Sequence, residues 1–166
     1  MPAITVDNPL VLPRLAAARP DAVHRRVASV VPAQHVVEGA GFEVWRPFPG
    51  GLSMHDTDPF LLLDQLGPVQ YEPNEAKGAP WHPHRGFETV TYVLDGEIAH
   101  HDSNGGGGVI GEGDTQWMTA GGGILHDEVP TERALRDGGP SHGVQLWVNL
   151  PSSDERSTRC SPVIAW

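Results

Sequence analysis

Glycine and proline punctuate this chain so evenly that long helices have little room to form. There are 20 glycines and 16 prolines in 166 residues, placed as single breaks between short apolar runs. Proline removes a backbone donor and glycine weakens a helix interior, so each break tends to end an element. Short β-branched and aromatic runs remain, and they read as many strands joined by tight turns. Glycines concentrate at one place, Gly105-Gly106-Gly107-Gly108.

Residues 1–26 read as a loosely packed leader with a helical turn at Leu15–Arg19, and Arg25-Arg26 as solvated surface. Strands are expected at Val27–Val31, Gln34–Val37 and Phe42–Pro47. Phe60–Leu66 reads as a fully buried strand, and Gly67–Pro80 as a loop leading into a site. Thr89–Leu94 is β-branched and aromatic, hence a strand. Asp95-Gly96 tolerates positive φ and predicts a hairpin, with Glu97–His101 as the returning partner. Val109-Ile110, Thr115–Thr119, Ile124–Val129 and Gly143–Leu150 complete the set, with turns at Gly113-Asp114 and Ala120–Gly123. This spacing argues for an all-β sandwich or barrel.

Hydrophobic residues make up 39% of the chain, enough for a globular core. The net charge is −10, from 21 acidic and 11 basic residues. Such a surface disfavours direct binding to nucleic acid or to anionic membranes. The single cysteine, Cys160, permits no intramolecular disulfide and no cysteine-based zinc motif. No apolar run reaches the roughly 20 residues of a membrane helix, and Met1–Thr5 lacks the start of a secretory signal. A cytoplasmic protein is expected.

The chemistry concentrates in two short segments, His82-Pro83-His84 and His126-Asp127-Glu128. Each places two potential ligands at i and i+2. Alternate side chains of a strand share a face, so each pair can aim at one point. Two such strands, paired inside a barrel, would offer three imidazoles and one carboxylate. That donor set suits Fe, Mn, Ni, Cu or Zn and leaves open positions on an octahedral ion. Hydrogen-bonded core or loop histidines are the plain alternative. Glu88 shares the parity of His82 and His84, so it competes with Glu128 as ligand or as a group orienting one.

The segment from Pro80 to Tyr92, containing His82-Pro83-His84-Arg85-Gly86-Phe87-Glu88, resembles the first signature of the pirin family of the cupin superfamily. Gly113 to Glu128, containing Gly121-Gly122-Gly123-Ile124-Leu125-His126-Asp127-Glu128, resembles its second signature. Gln145–Pro151 resembles the segment closing the first domain. The resemblance runs from about Phe42 to Pro151. It implies a single cupin barrel (a double-stranded β-helix, or jelly-roll) over residues 27–151, with a mononuclear site holding iron(II), or Mn, Ni, Co, Cu or Zn. By motif position the ligands fall on His82, His84, His126 and Glu128.

The resemblance further implies quercetin 2,3-dioxygenase activity on a flavonol-like aromatic substrate, with Glu128 as the catalytic base. An iron-dependent, redox-sensitive regulator that binds protein partners without catalysis is the other activity it implies. Family members usually carry two cupin domains, whereas here the tail 152–166 does not resemble the continuation. Apolar surface left by a missing second domain would invite a homodimer.

Other residues carry expectations of their own. His100 and His101 face opposite ways, so at most one can reach the site. His24, His35, His55 and His142 read as surface or packing residues. Trp117 and Trp147 are expected in the core, and Tyr92 in the core or the pocket. Arg85 is expected to hold an anion or pair with a nearby acid.

Overall fold

The computed structural model describes residues 19–23, 26–154 and the backbone of 164–165. The expected helical turn at Leu15–Arg19 falls almost wholly outside the described residues, as do His24 and Cys160. The chain divides into two units, residues 1–30 and 31–166. In the first, Arg19 pairs with Asp21 at 3.1 Å and its carbonyl accepts from Ala22 N–H. The strand expected at Val27–Val31 does not form. No sheet pairing reaches it among the described residues, and Pro32 beside it has no N–H to give.

The second unit is built from antiparallel strands. A seven-stranded sheet runs in the order β1 (Gln34–Glu38), β2 (Phe42–Phe48), β3 (Phe60–Tyr71), β10 (Gly139–Asn149), β5 (Phe87–Asp95), β8 (Thr115–Thr119) and β11 (Ile164–Ala165). A four-stranded sheet runs β4 (Ala79–His84), β9 (Ile124–Val129), β6 (Glu97–Asp102) and β7 (Gly107–Gly111). Two short helices, α1 (Met54–Thr57) and α2 (Glu132–Asp137), lie in connections.

Alternation sets which residues point inward. On β5, Thr89, Thr91 and Val93 are each 1% exposed, while Tyr92 and Leu94 face out. On β8, Gln116 and Met118 are buried and Trp117 is 41% exposed, so Trp117 is not in the core as expected. Tyr92, at 39% exposure, is neither core nor pocket. It lies on the outward side of β5, between the buried Thr91 and Val93.

Two further expectations are corrected by pairing. Asp95-Gly96 does not close a hairpin, because β5 and β6 belong to different sheets. Both edges of β5 are already taken, by β10 and β8, so β6 has no edge to pair with. Gly96 sits at φ +86°, and a Cβ there would lie 2.2 Å from the Pro140 carbonyl oxygen. The dipeptide is thus a tight passage between layers. Phe60–Leu66 is not fully buried either: Phe60 is 43% exposed. The strand continues to Tyr71, through what reads in sequence as loop, because the long β10 pairs it from Phe60 to Tyr71.

The apolar interior centres on Met118, Ala120 and Ile124. Among the described residues, ten buried side chains are polar or charged and seven are apolar. Buried polar groups are costly unless partnered. An interior with this balance is organised around a polar site as much as around packing.

Candidate metal centre

The site is set by one strand pair. β4 and β9 run antiparallel with His82 directly opposite His126 and His84 opposite Ile124. A register shift between Ala79 and His82 offsets Glu128, which pairs with Ala79. His82 and His84 are alternate residues of β4 and share its inner face. The three rings converge: centroids lie 4.8 Å apart for His82–His84, 4.3 Å for His82–His126 and 4.8 Å for His84–His126. One donor nitrogen from each lies within 4.8 Å of the others.

The ring protons favour a cation. His82 Nδ1–H donates to the Pro80 carbonyl at 2.7 Å, which fixes its tautomer and leaves Nε2 as a lone pair. That Nε2 sits 3.1 Å from His84 Nε2. His126 Nε2 is buried with no hydrogen-bond partner. An unpartnered buried nitrogen costs about 1–3 kcal/mol, and a metal ion is the partner that suits it. Burial, and then the neighbouring His82, lower the His84 pKa to about 4. Burial and the neighbouring rings lower His126 further, to about 2. Both rings are therefore neutral at pH 7, the form that binds metals.

Glu128 lies on the wall of the same cavity, outside the trio of converging imidazoles. Gln145 Nε2–H donates to both its oxygens, at 3.2 and 3.1 Å, and Thr91 Oγ1–H to one at 3.4 Å. Trp147 Nε1–H in turn holds Gln145 Oε1 at 3.1 Å. Burial pushes the Glu128 pKa up, against the pull of Gln145 and His82. The carboxyl is thus held from the large sheet while its backbone belongs to the small one. Gln145 and Thr91 are partners of Glu128 that sequence reasoning missed. The available signal was alternation on β10, which puts Gln145 on the same face as Trp147.

The cavity holds about 550 Å³ and is lined by His82, His84 and Glu128 together with Arg46, Asp64, Arg85, Phe87 and Trp147. That volume is within the usual range for small-molecule sites. Phe87 and Trp147 stack at 4.5 Å and form an aromatic wall. Trp147 is therefore half-buried pocket lining, not the core residue expected. Arg85 is exposed, and among the described residues it has no ion pair, so the expected salt bridge is absent. Glu88 turns to the other side of β5 and accepts from Thr119 Oγ1 at 2.6 Å. His100 is fully buried behind His126, while His101 faces outward and bonds Asp127 at 2.8 Å.

The depressed His84 pKa makes a pH prediction. Its folded value lies below the ordinary 6.5, so the unfolded chain binds the proton more readily. The stability of the metal-free protein is complete above pH 6.5 and falls as pH drops toward 4. Melting of metal-stripped protein across that window should show a loss of about 3 kcal/mol from this group, and His84→Asn should remove that part while the deeper depression at His126 leaves the rest.

Two antiparallel sheets enclosing a cavity, with inward-facing histidines on adjacent strands, define a cupin barrel. The pirin family model matches residues 41–148, and the chain belongs to the pirin family. A Pseudomonas aeruginosa protein provisionally named as a quercetin 2,3-dioxygenase is 54% identical over 118 residues, covering 70% of this chain and 41% of that protein. Human pirin is 44% identical over 132 residues, covering 79% of this chain and 42% of human pirin. The crystal structure of a quercetin 2,3-dioxygenase from Acinetobacter baumannii superposes with a TM-score of 0.70 at 43% identity, covering 81% of this chain and 46% of that one. The chain thus spans less than half the length of these relatives. Among the described residues, no helix is long and apolar enough to cross a membrane.

Proposed function

We propose that this chain is a metal-dependent dioxygenase domain acting on flavonols, with iron(II) held by His82, His84, His126 and Glu128. One observation carries the reading: three imidazoles converge, His84 and His126 among them held neutral by burial, beside a carboxyl whose pKa burial raises, next to an aromatic wall. The names of the P. aeruginosa and A. baumannii relatives support the substrate class. When bound, the metal would orient substrate and oxygen and stabilise developing negative charge.

The protein's own part is positional and protonic. The Phe87–Trp147 wall presents a flat apolar face to an aromatic ring system. Glu128 accepts the substrate hydroxyl proton at a carboxylate oxygen, and its raised pKa suits it to hold that proton. Gln145 and Thr91 keep the carboxylate aimed while it does so. Iron-loaded protein incubated with quercetin should bleach the flavonol absorbance in air and not under nitrogen. Absence of oxygen-dependent turnover with Fe, Mn, Ni and Co alike would overturn the proposal.

A second reading, a redox-sensitive module that binds protein partners, draws support from the outer face of the ligand strands. Trp81 is 55% and Leu125 48% exposed there, and exposed large apolar side chains can mark an interaction surface. Capture experiments with ferrous and ferric protein test it; identical partners in both states count against it.

A further inference from the structure

We infer that His100 is a positioning residue that holds His126 in the tautomer able to bind a metal, and that the four-glycine turn seats the carboxylate behind it. The inference rests on the metal reading above and extends it one layer outward.

His100 lies on β6, is 0% exposed, and packs its ring 5.0 Å from that of His126. Its Nδ1 has two neighbours: Gln116 Nε2 at 2.7 Å and His126 Nδ1 at 3.2 Å. An amide nitrogen only donates, so His100 Nδ1 is a lone pair. Only one tautomer of neutral His126 then suits its neighbour, the one that donates through Nδ1–H. That leaves His126 Nε2 as a lone pair, and Nε2 is one of three buried side-chain atoms without a hydrogen-bond partner among the described residues, beside His100 Nε2 and Gln116 Oε1. Gln116, deep on β8 and 1% exposed, therefore sets the proton on His126 through His100.

The proton of His100 consequently sits on Nε2. There the Asp102 carboxylate oxygen Oδ2 lies 3.7 Å away, a charge contact rather than a hydrogen bond. Asp102 is fixed by its other oxygen, which accepts from the backbone N–H of Asn104 at 2.7 Å and of Gly106 at 3.0 Å. The glycines make this close wrap possible. A Cβ on Gly106 would stand 2.3 Å from Asp102 Oδ2, and one on Gly107 would stand 2.8 Å from the His100 carbonyl oxygen. The glycine cluster, unexplained by the ligand set, is thus accounted for at two of its four positions.

Two measurements test this. Long-range 15N–1H NMR of the metal-free protein should show His126 protonated on Nδ1 and His100 on Nε2. His126 protonated on Nε2, or His100 on Nδ1, overturns the inference. The second measurement is cobalt(II) titration of Gln116→Glu. A carboxylate accepts only, so it draws a proton onto His100 Nδ1 and deprives His126 Nδ1–H of its acceptor. Cobalt affinity should fall roughly 10–100-fold, the usual effect of disturbing such an outer partner, and the cobalt absorption spectrum should change. Unchanged affinity in folded Gln116→Glu overturns the inference; if that variant fails to fold, the NMR result decides. Should the wild-type chain bind no cobalt, the metal reading fails while the tautomer measurement still judges the arrangement of His100.

Discussion

His84→Ala should purify without the stoichiometric metal that the proposed function expects of the wild-type chain. The ring is 8% exposed, touches His82 Nε2 at 3.1 Å, and packs edge-on against Phe87 and Trp147. Removing it takes away one of three converging nitrogens and opens the aromatic wall to water. Loss of an outer partner alone typically costs 10–100-fold in affinity, so loss of a donor should cost at least about 100-fold. Elemental analysis of both proteins, purified in parallel, checks this. Equal metal content in the two would remove His84 from the donor set. The metal-free variant should remain folded, because the change also relieves the burial of a titratable group.

The second large effect lies at the rim of the same cavity. Arg46→Met should destabilise the domain by about 2–4 kcal/mol. Asp64 is 5% exposed, and both its oxygens accept from Arg46, at 2.7 Å each. Glu38 takes a further bond from the same guanidinium at 2.8 Å. Breaking a fully buried pair from one side costs about 3–5 kcal/mol, since the remaining charge is stranded. Arg46 is partly exposed, and solvent screening trims the figure. The double variant Arg46→Met, Asp64→Leu should recover most of the loss, because no stranded carboxylate remains. Urea denaturation of the three proteins measures it, and a double variant as unstable as the single would disprove stranding as the cause.

Much of this architecture was legible because strand alternation is a local property. Thr89–Leu94, Thr115–Thr119 and Ile124–Val129 all form strands close to where their β-branched and aromatic residues put them. His82 and His84 share a face because i, i+2 spacing on a strand has only one geometric meaning, and His126 joins them by standing opposite His82. What could not be read is which strand lies beside which. Asp95-Gly96 carries a hairpin signal, yet the competition of β10 and β8 for β5 is a fact of the assembled sheet. The parity that aligned Glu88 with His82 and His84 fails for a related reason, since parity locates a side chain only within one sheet. The Thr131 cap of α2, whose Oγ1 accepts from Ala134 N–H, and Gly138 after its last turn were readable helix signals in the segment between the second ligand pair and β10.

The three imidazoles all come from the small sheet, whereas the Glu128 carboxylate is tied across to Gln145 and Thr91 of the large one. Glu128 therefore works as a strut between the two walls of the sandwich. Loosening of the walls would be felt first by the acid, while the histidine trio would keep its shape. Under the proposed function, substitutions on the large-sheet side of that tie, at Gln145 or Thr91, would then alter proton transfer before they altered metal retention, so the two could drift apart in evolution without a change in any proposed ligand.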